Sequence, residues 1–157
     1  MKLDIYTDGA TSGNGQLNAV GGWGYIVVQD NTITHKKNGQ LTTATNNICE
    51  LTAILEACEY ASSVISKENF NQITIYSDSA YCINCYLQKW YTKWQNNGWV
   101  NSKKQPVANK ELWIKLIPFF EDPNFTFKKI KGHAGDVWNE EADQLAVKGK
   151  QGVLVDG

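Results

Sequence analysis

Arginine is missing from this chain: all fifteen basic residues are lysine. Lysine neutralises a phosphate as a point charge but lacks the planar fork that recognises acceptors in pairs. Any grip on a polyanion is therefore expected to be directed at its backbone and to be sensitive to salt. Long apolar runs are missing too, and none approaches the length needed to cross a membrane. The N-terminal "MKLDIYTDGA" alternates like a strand and has no signal-peptide apolar core. An intracellular, cytoplasmic location without membrane association is expected. Repeats, low-complexity stretches and linkers are also lacking. Cysteine is scarce, limited to Cys49, Cys58, Cys82 and Cys85. Only "CINC" has a metal-like or redox-like spacing, and Cys49 and Cys58 stand too far apart to complete a zinc site. All four fall in helical patterns, where a free thiol behaves as a small apolar residue.

What is present is an ordinary globular composition. The 157 residues are 42% hydrophobic and 20% charged, enough for one domain with a real core. We read that domain over residues 1–150, with a short tail at 151–157. The net charge of -1 argues against a surface that grips nucleic acid everywhere, but the charge is uneven. From Met1 to Tyr60, six acids outnumber three lysines; from Lys89 to Lys131, nine lysines outnumber Glu111, Glu121 and Asp122. Such asymmetry suits a polyanion held on one surface near a cluster of carboxylates.

Hydrophobic periodicity orders the elements. "KLDIYTDG", "GGWGYIVVQD" and "TITHKKNGQL" read as three strands of an antiparallel meander, the last two joined by a turn at "DN". The first strand is expected to end at Asp8-Gly9, followed by the polar, glycine-rich loop "ATSGNGQLNAVGG". From Asn47 to about Ile65 the period becomes helical, with Leu51, Ile54, Leu55, Cys58 and Ala61 on one stripe. "FNQITIYSD" is a strand, "SAYCINCYLQKW" a helix, and "KELWIKLI" a short helix stopped by Pro118. "NFTFKKIKG" is the last strand and "NEEADQLAVKGK" the last helix. The order β-β-β-α-β-α-α-β-α predicts an α/β fold: a mixed five-stranded sheet with helices on both faces.

Four acids stand out: Asp8, Glu50, Asp78 and Asp143. Each has a bland explanation alone. Asp8-Gly9 is a turn signal, Asp78 or a neighbouring serine suits a helix cap, and Glu50 in a first turn favours the helix dipole. Asp143 could be one polar position on an amphipathic helix. Together they read differently. At about 100° per residue, Glu50 sits at the margin of the apolar stripe, one turn before Ile54. Asp8 and Asp78 both lie at strand ends, which converge on one crevice in an α/β sheet. Clustered carboxylates repel one another unless a cation binds, and a hard ion with oxygen ligands, Mg²⁺ or Mn²⁺, is the natural partner.

The sequence resembles the type 1 ribonuclease H family. The matching pieces are "YTDG", "TNNICEL", "SDSAY", "WYTKWQNNGW", "KKQPVANKELW" and "KGHAGDVWNEEAD", in the family's order across nearly the whole chain. The resemblance implies a ribonuclease H-like fold and a metal-dependent endonuclease acting on RNA–DNA hybrids, leaving 3′-hydroxyl and 5′-phosphate ends. Asp8, Glu50, Asp78 and Asp143 match the acids that hold two Mg²⁺ ions, with Mn²⁺ an alternative. His133 matches a loop histidine expected to assist proton transfer or product release. Thr45, Asn46 and Asn47 match a segment that contacts the DNA strand and minor groove, with Asn14 a weaker candidate.

"KWYTKWQNNGWVNSKK" resembles the family's hybrid-binding protrusion. Trp90, Trp94 and Trp99 are expected to pack its helices, with Trp90 and Trp94 also offered to nucleic acid. Lys89, Lys93, Lys103 and Lys104 are expected to face phosphates, while Trp113 and Trp23 belong to the core. Gln95, Asn96 and Asn97 stand where more charge is expected, which implies weaker, more salt-sensitive binding with catalysis retained. The expected partner is a hybrid duplex and the expected state a monomer. The competing readings are a DNA nuclease of the same superfold, integrase-like or resolvase-like, and a hybrid-binding module without catalysis.

Overall fold

The computed structural model describes residues 2–13, 19–42, 44–65, 72–131 and 136–157. Its sheet is built from β1 (Lys2–Ser12), β2 (Val20–Gln29), β3 (Thr32–Thr42), β4 (Gln72–Ser77) and β5 (Phe125–Lys129), in the spatial order β3-β2-β1-β4-β5. β1 pairs antiparallel with β2, and β2 with β3; β4 pairs parallel with β1, and β5 with β4. The expected mixed sheet is therefore present. Its meander turns at Asp30-Asn31, both with positive φ (49° and 62°). A two-residue hairpin asks for that backbone because it follows the twist of the strands, and Asp and Asn tolerate it.

Alternation along the strands sorts side chains between two layers. Leu3, Ile5, Tyr25, Val27, Ile73 and Ile75 join one large core with α1 (Asn46–Ile65) through Leu51, Ile54, Leu55 and Cys58. Ile26 and Val28, on the opposite face, meet Leu145 of α5 (Val137–Lys150) in a much smaller cluster. α1 packs on β1, β2 and β4, whereas α5 packs on β1, β2 and β3. β2 lies between both helices, which is why it is buried almost end to end while the edge strand β3 is mostly half-exposed. All four cysteines are buried and free, and burial pushes every thiol above its ordinary range. No helix among the described residues is long and apolar enough to cross a membrane.

Several boundaries differ from the sequence reading. β1 does not end at Asp8-Gly9 but runs on to Ser12, because β2 pairs with it as far as Ser12↔Val20. The glycine-rich loop shrinks accordingly. Between β4 and β5 there are three helices rather than two: α2 (Ala80–Gln88), α3 (Trp90–Asn97) and α4 (Lys110–Phe120). α2 and α3 part at Lys89, a lysine in the left-handed region (φ 55°, ψ 45°) whose N–H closes the helix end on Cys85 and Tyr86 carbonyls. No glycine or proline marks that break. Pro118 does not stop α4, which continues to Phe120. Its ring costs one helical N–H, but Leu116, Ile117 and Phe120 are buried around it and hold the last turn to the core. α5 starts two residues earlier than expected, with Asp136 capping the Trp138 and Asn139 N–H groups at 2.9 and 3.1 Å.

α5 ends in a Schellman turn. Gly152 (φ 82°) sends its N–H to the Gly149 carbonyl, and Val153 reaches the Lys148 carbonyl at 2.8 Å. The tail then runs back along β3, where Lys37 bridges Asp156 in antiparallel register and Gly157 N–H donates to the Lys36 carbonyl. α5 itself lies close on the sheet. A side chain at Gly22 would overlap the α5 backbone at Ala146 and Lys150. Gly22→Ala should therefore destabilise the fold by more than about 2 kcal/mol through overpacking, read as a lower urea midpoint with an unchanged slope.

Candidate active site

The site forms where the parallel half of the sheet stops. β1 and β4 pair only as far as Tyr6↔Tyr76, and two residues further on stand Asp8 and Asp78. Asp8 is therefore not at the end of its own strand but at the end of its pairing with β4. Its side chain is 3% exposed. Gly9 follows with no side chain, so α1 can lie directly on it. A Cβ there would come within 2.7 Å of Cys49 and the Glu50 nitrogen. This contact carries Glu50 to the sheet edge. The Gly9 N–H donates to Asp8 Oδ1 at 2.8 Å and to Glu50 Oε1 at 3.2 Å, tying the two carboxylates to one backbone group. Glu50 is the fifth residue of α1 rather than a first-turn residue, so the dipole explanation for it is lost. The cap of α2 falls to Ser79, whose Oγ accepts the Cys82 N–H at 3.2 Å; Asp78 is spared that role.

Asp8, Glu50 and Asp78 can each offer a carboxylate oxygen within 4.8 Å of the others, the one such group of ligating side chains among the described residues. Asp143, half-buried in the middle of α5, lies near enough to Asp8 to give its carboxyl the least of its upward pushes, but it is not one of the three within 4.8 Å. The electrostatics follow from the crowding. Burial first, then the Asp78 charge, lift the Asp8 carboxyl from 3.8 to about 7. Burial and the charges of Asp8 and Asp78 hold Glu50 well above the usual carboxylate range. Glu50 Oε2 is buried with no hydrogen-bond partner among the described residues. A divalent cation would satisfy that unpaired oxygen and the mutual repulsion together, so this donor set fits a hard, oxygen-ligated ion.

The candidate nucleic-acid residues fall into two places. At the start of α1, Thr45 Oγ1 accepts the Ile48 N–H at 3.2 Å and so caps the helix, while Asn46 and Asn47 are exposed beside it. Trp90, Lys93 and Trp94 line a second place, a cavity of about 280 Å³ shared with Val100, Asn101 and Ser102. Trp94 packs on Trp90, Trp99 and Trp113, and the two expected core tryptophans, Trp113 and Trp23, are buried. Lys89 is exposed at the α2–α3 break. Lys103 and Lys104 do not line the cavity; they sit exposed in the turn that Val100 and Pro106 close by pairing. Asn14 and His133 lie outside the described residues.

Sequence reasoning missed three supporting residues. Gly9 read as a turn signal, yet it works as a shared donor and an empty space. Asn97 read as a missing charge, yet its amide closes α3 by donating to the Val100 carbonyl at 3.1 Å and accepting its N–H at 3.2 Å. Asn101 Oδ1 accepts the Lys103 and Gln105 N–H groups at 2.9 and 3.0 Å, shaping the lysine turn. The asparagine-rich composition of both segments was the only signal.

Comparison with known proteins agrees with this geometry. The sequence model of the RNase H family matches residues 1–151. The chain is 44% identical over 147 residues to a ribonuclease H of Syntrophomonas wolfei, covering 92% of this chain and 93% of that one. It is 42% identical to a Clostridium botulinum ribonuclease H with the same coverage. Among solved structures, LC9-RNase H1, described as a type 1 RNase H with the type 2 active-site motif, superposes with a TM-score of 0.77 at 24% identity, over 99% of this chain and 77% of that one. LC11-RNase H1, solved with an RNA/DNA hybrid, gives 0.71 at 22% identity, over 96% and 97%. With a family model matched over residues 1–151 and relatives about 40% identical over nearly its whole length, the chain belongs to the ribonuclease H family of nucleases.

Proposed function

We propose that the protein hydrolyses the RNA strand of RNA–DNA hybrids, leaving 3′-hydroxyl and 5′-phosphate ends. The observation that carries this reading is the convergence of Asp8, Glu50 and Asp78 from three separate elements within 4.8 Å, with Asp143 beside Asp8. Two Mg²⁺ ions, or Mn²⁺ in their place, are the proposed cofactors; when bound, they supply an activated water and a stabilised leaving oxygen. Asp8, which the Asp78 charge and the Glu50 and Asp143 side chains all influence, is the residue proposed to be shared between the two ions. Glu50 and Asp78 serve one side and Asp143 the other. His133 is assigned a proton-transfer or product-release role on its chemistry alone, since its ordinary titration lies near neutrality.

Thr45, Asn46 and Asn47, with Asn14, are the proposed contacts to the DNA strand and minor groove. Short amides and hydroxyls suit those acceptors without a base code. Lys89, Lys93, Lys103 and Lys104 are proposed to meet phosphates, beside Trp90 and Trp94. Preference for an RNA strand then rests on its 2′-hydroxyl. Acting as a monomer in the cytoplasm completes the proposal.

Three outcomes test it. Asp8→Asn should cut RNA-strand cleavage by on the order of 10³-fold, while duplex DNA and single-stranded RNA stay uncut by either protein; equal cleavage of DNA by the parent would reject the assignment. The second outcome concerns pH. Because the folded Asp8 value is raised, its contribution to stability is full below 3.8 and is lost as pH rises towards about 7. Metal-free Asp8→Asn should thus be more stable than the parent by about 1–3 kcal/mol at pH 8 and no different near pH 4. The rise in Tm that Mg²⁺ gives the parent should grow from pH 5 to pH 8, and a pH-independent rise contradicts the site. Third, Lys103→Ala with Lys104→Ala should raise KM for hybrid several-fold, leave kcat unchanged and lower the salt slope of binding by roughly 1–2.

A further inference from the structure

Asn38 is buried in the edge strand β3, only 4% exposed, and its amide is fully engaged. Nδ2 donates to the Leu145 carbonyl in the middle of α5 and to the Val153 carbonyl of the tail, both at 2.9 Å. Oδ1 accepts the Val155 N–H, and the Asn38 backbone N–H donates to the Val155 carbonyl at 3.0 Å. One side chain thus joins the sheet edge, α5 and the tail. Leu145 lies two residues from Asp143.

The need for such a tie is visible in the packing. Among the described residues the buried apolar cluster on this face is small, Ile26, Val28 and Leu145, with the short side chains of Ala142 and Ala146 buried on α5 and Tyr6, Ile33, Trp138 and Val155 packed half-exposed against it. Apolar packing is non-directional and a small cluster specifies position weakly. α5 also lies backbone-close on the strands, where Gly149 leaves room only for the Gly39 carbonyl and a side chain at Gly24 would come within 2.6 Å of Leu145 Cβ. A helix that close can still slide or roll along a glycine-lined surface. Hydrogen bonds of fixed direction from Asn38 remove that freedom.

We propose that Asn38, locked in place by the C-terminal tail, is a positioning residue for the nuclease reaction: it sets α5 on the sheet so that Asp143 meets Asp8. The proposal rests on the reading of Asp143 as a member of the metal-holding set. Asn38 touches neither substrate nor ion, and it acts through α5. The tail has a part in this because two of the amide's three side-chain bonds are to it.

A double-mutant cycle on kcat tests this. Asn38→Ala should lower kcat about tenfold with the KM for hybrid within twofold, the size expected for a residue that orients a ligand. In the background of Asp143→Asn it should have no further effect, because the residue it positions is gone. Metal-free hydrogen exchange gives a second readout: α5 amides from Leu145 to Gly149 should exchange faster in Asn38→Ala, with β4 and α1 unchanged. Val155→Pro, which deletes the N–H that Oδ1 accepts together with the Val155 side chain but leaves both Nδ2 bonds, should reproduce both effects more weakly and serves if Asn38→Ala does not fold. Multiplicative losses in the cycle, or unchanged kcat in folded Asn38→Ala, would overturn the proposal. A fully active Asp143→Asn would instead overturn the reading of Asp143 beneath it, and faster α5 exchange would then mark Asn38 as structural only.

Discussion

Carboxylates that share a buried space repel one another and lose their hydration, so nothing in their own chemistry brings them together. Here the rest of the molecule does. Asp8 is fixed by a strand in the middle of the sheet, Glu50 by a helix pressed onto Gly9, and Asp78 by the strand end just before the Ser79 cap. The large core between α1 and the sheet makes this arrangement hold. Its apolar burial is what offsets the electrostatic cost, and the Gly9 N–H shared by two carboxylates limits that cost locally. The fold holds the carboxylates together at an electrostatic cost that a cation bound among them would offset.

The two faces of the sheet contribute unequally. On one, α1 and the helices after β4 bury a broad aromatic and aliphatic core. On the other, α5 buries Leu145 against Ile26 and Val28 of β2, adds only the short side chains of Ala142 and Ala146, and approaches by backbone contact over glycines. Asp143 comes from this thinner side. Direction there comes from polar bonds, those of Asp136 at the start of α5 and of Asn38 near its middle and after its end.

The protrusion follows a similar economy. Asn97, which stands where charge was expected, closes α3 with its amide, and Asn101 shapes the turn before Lys103 and Lys104. Side chains used in that way hold lysines and tryptophans in place rather than add phosphate contacts. With arginine absent throughout the chain, the positive charge of this surface rests on ammonium groups alone, whose pull on a polyanion salt would screen readily.

Strand alternation and helical period are local properties, and they made the strand order along the chain, the mixed sheet, the Asp30-Asn31 hairpin and the buried cysteines legible in the sequence, though one helix after β4 was not. Sequence motifs, read in order, also singled out four acids, three of which, Asp8, Glu50 and Asp78, the structure brings within 4.8 Å of one another. What the sequence misjudged had no local mark. Lys89 breaks a helix without glycine or proline. Pro118 fails to end one because buried neighbours hold it. β1 outruns Asp8 because β2 is there to pair with it. Glu50 reaches the site because of a contact with Gly9, 41 residues away. Asn38 finds its partners 107 to 117 residues away. The sequence by itself determined which groups could bear the chemistry and which segments would be strands or helices, since those depend on neighbours along the chain. Only the tertiary structure decided which carboxylates meet, how deeply they are buried and what holds α5 over them, because those depend on long-range packing and directional bonds that no window of sequence contains.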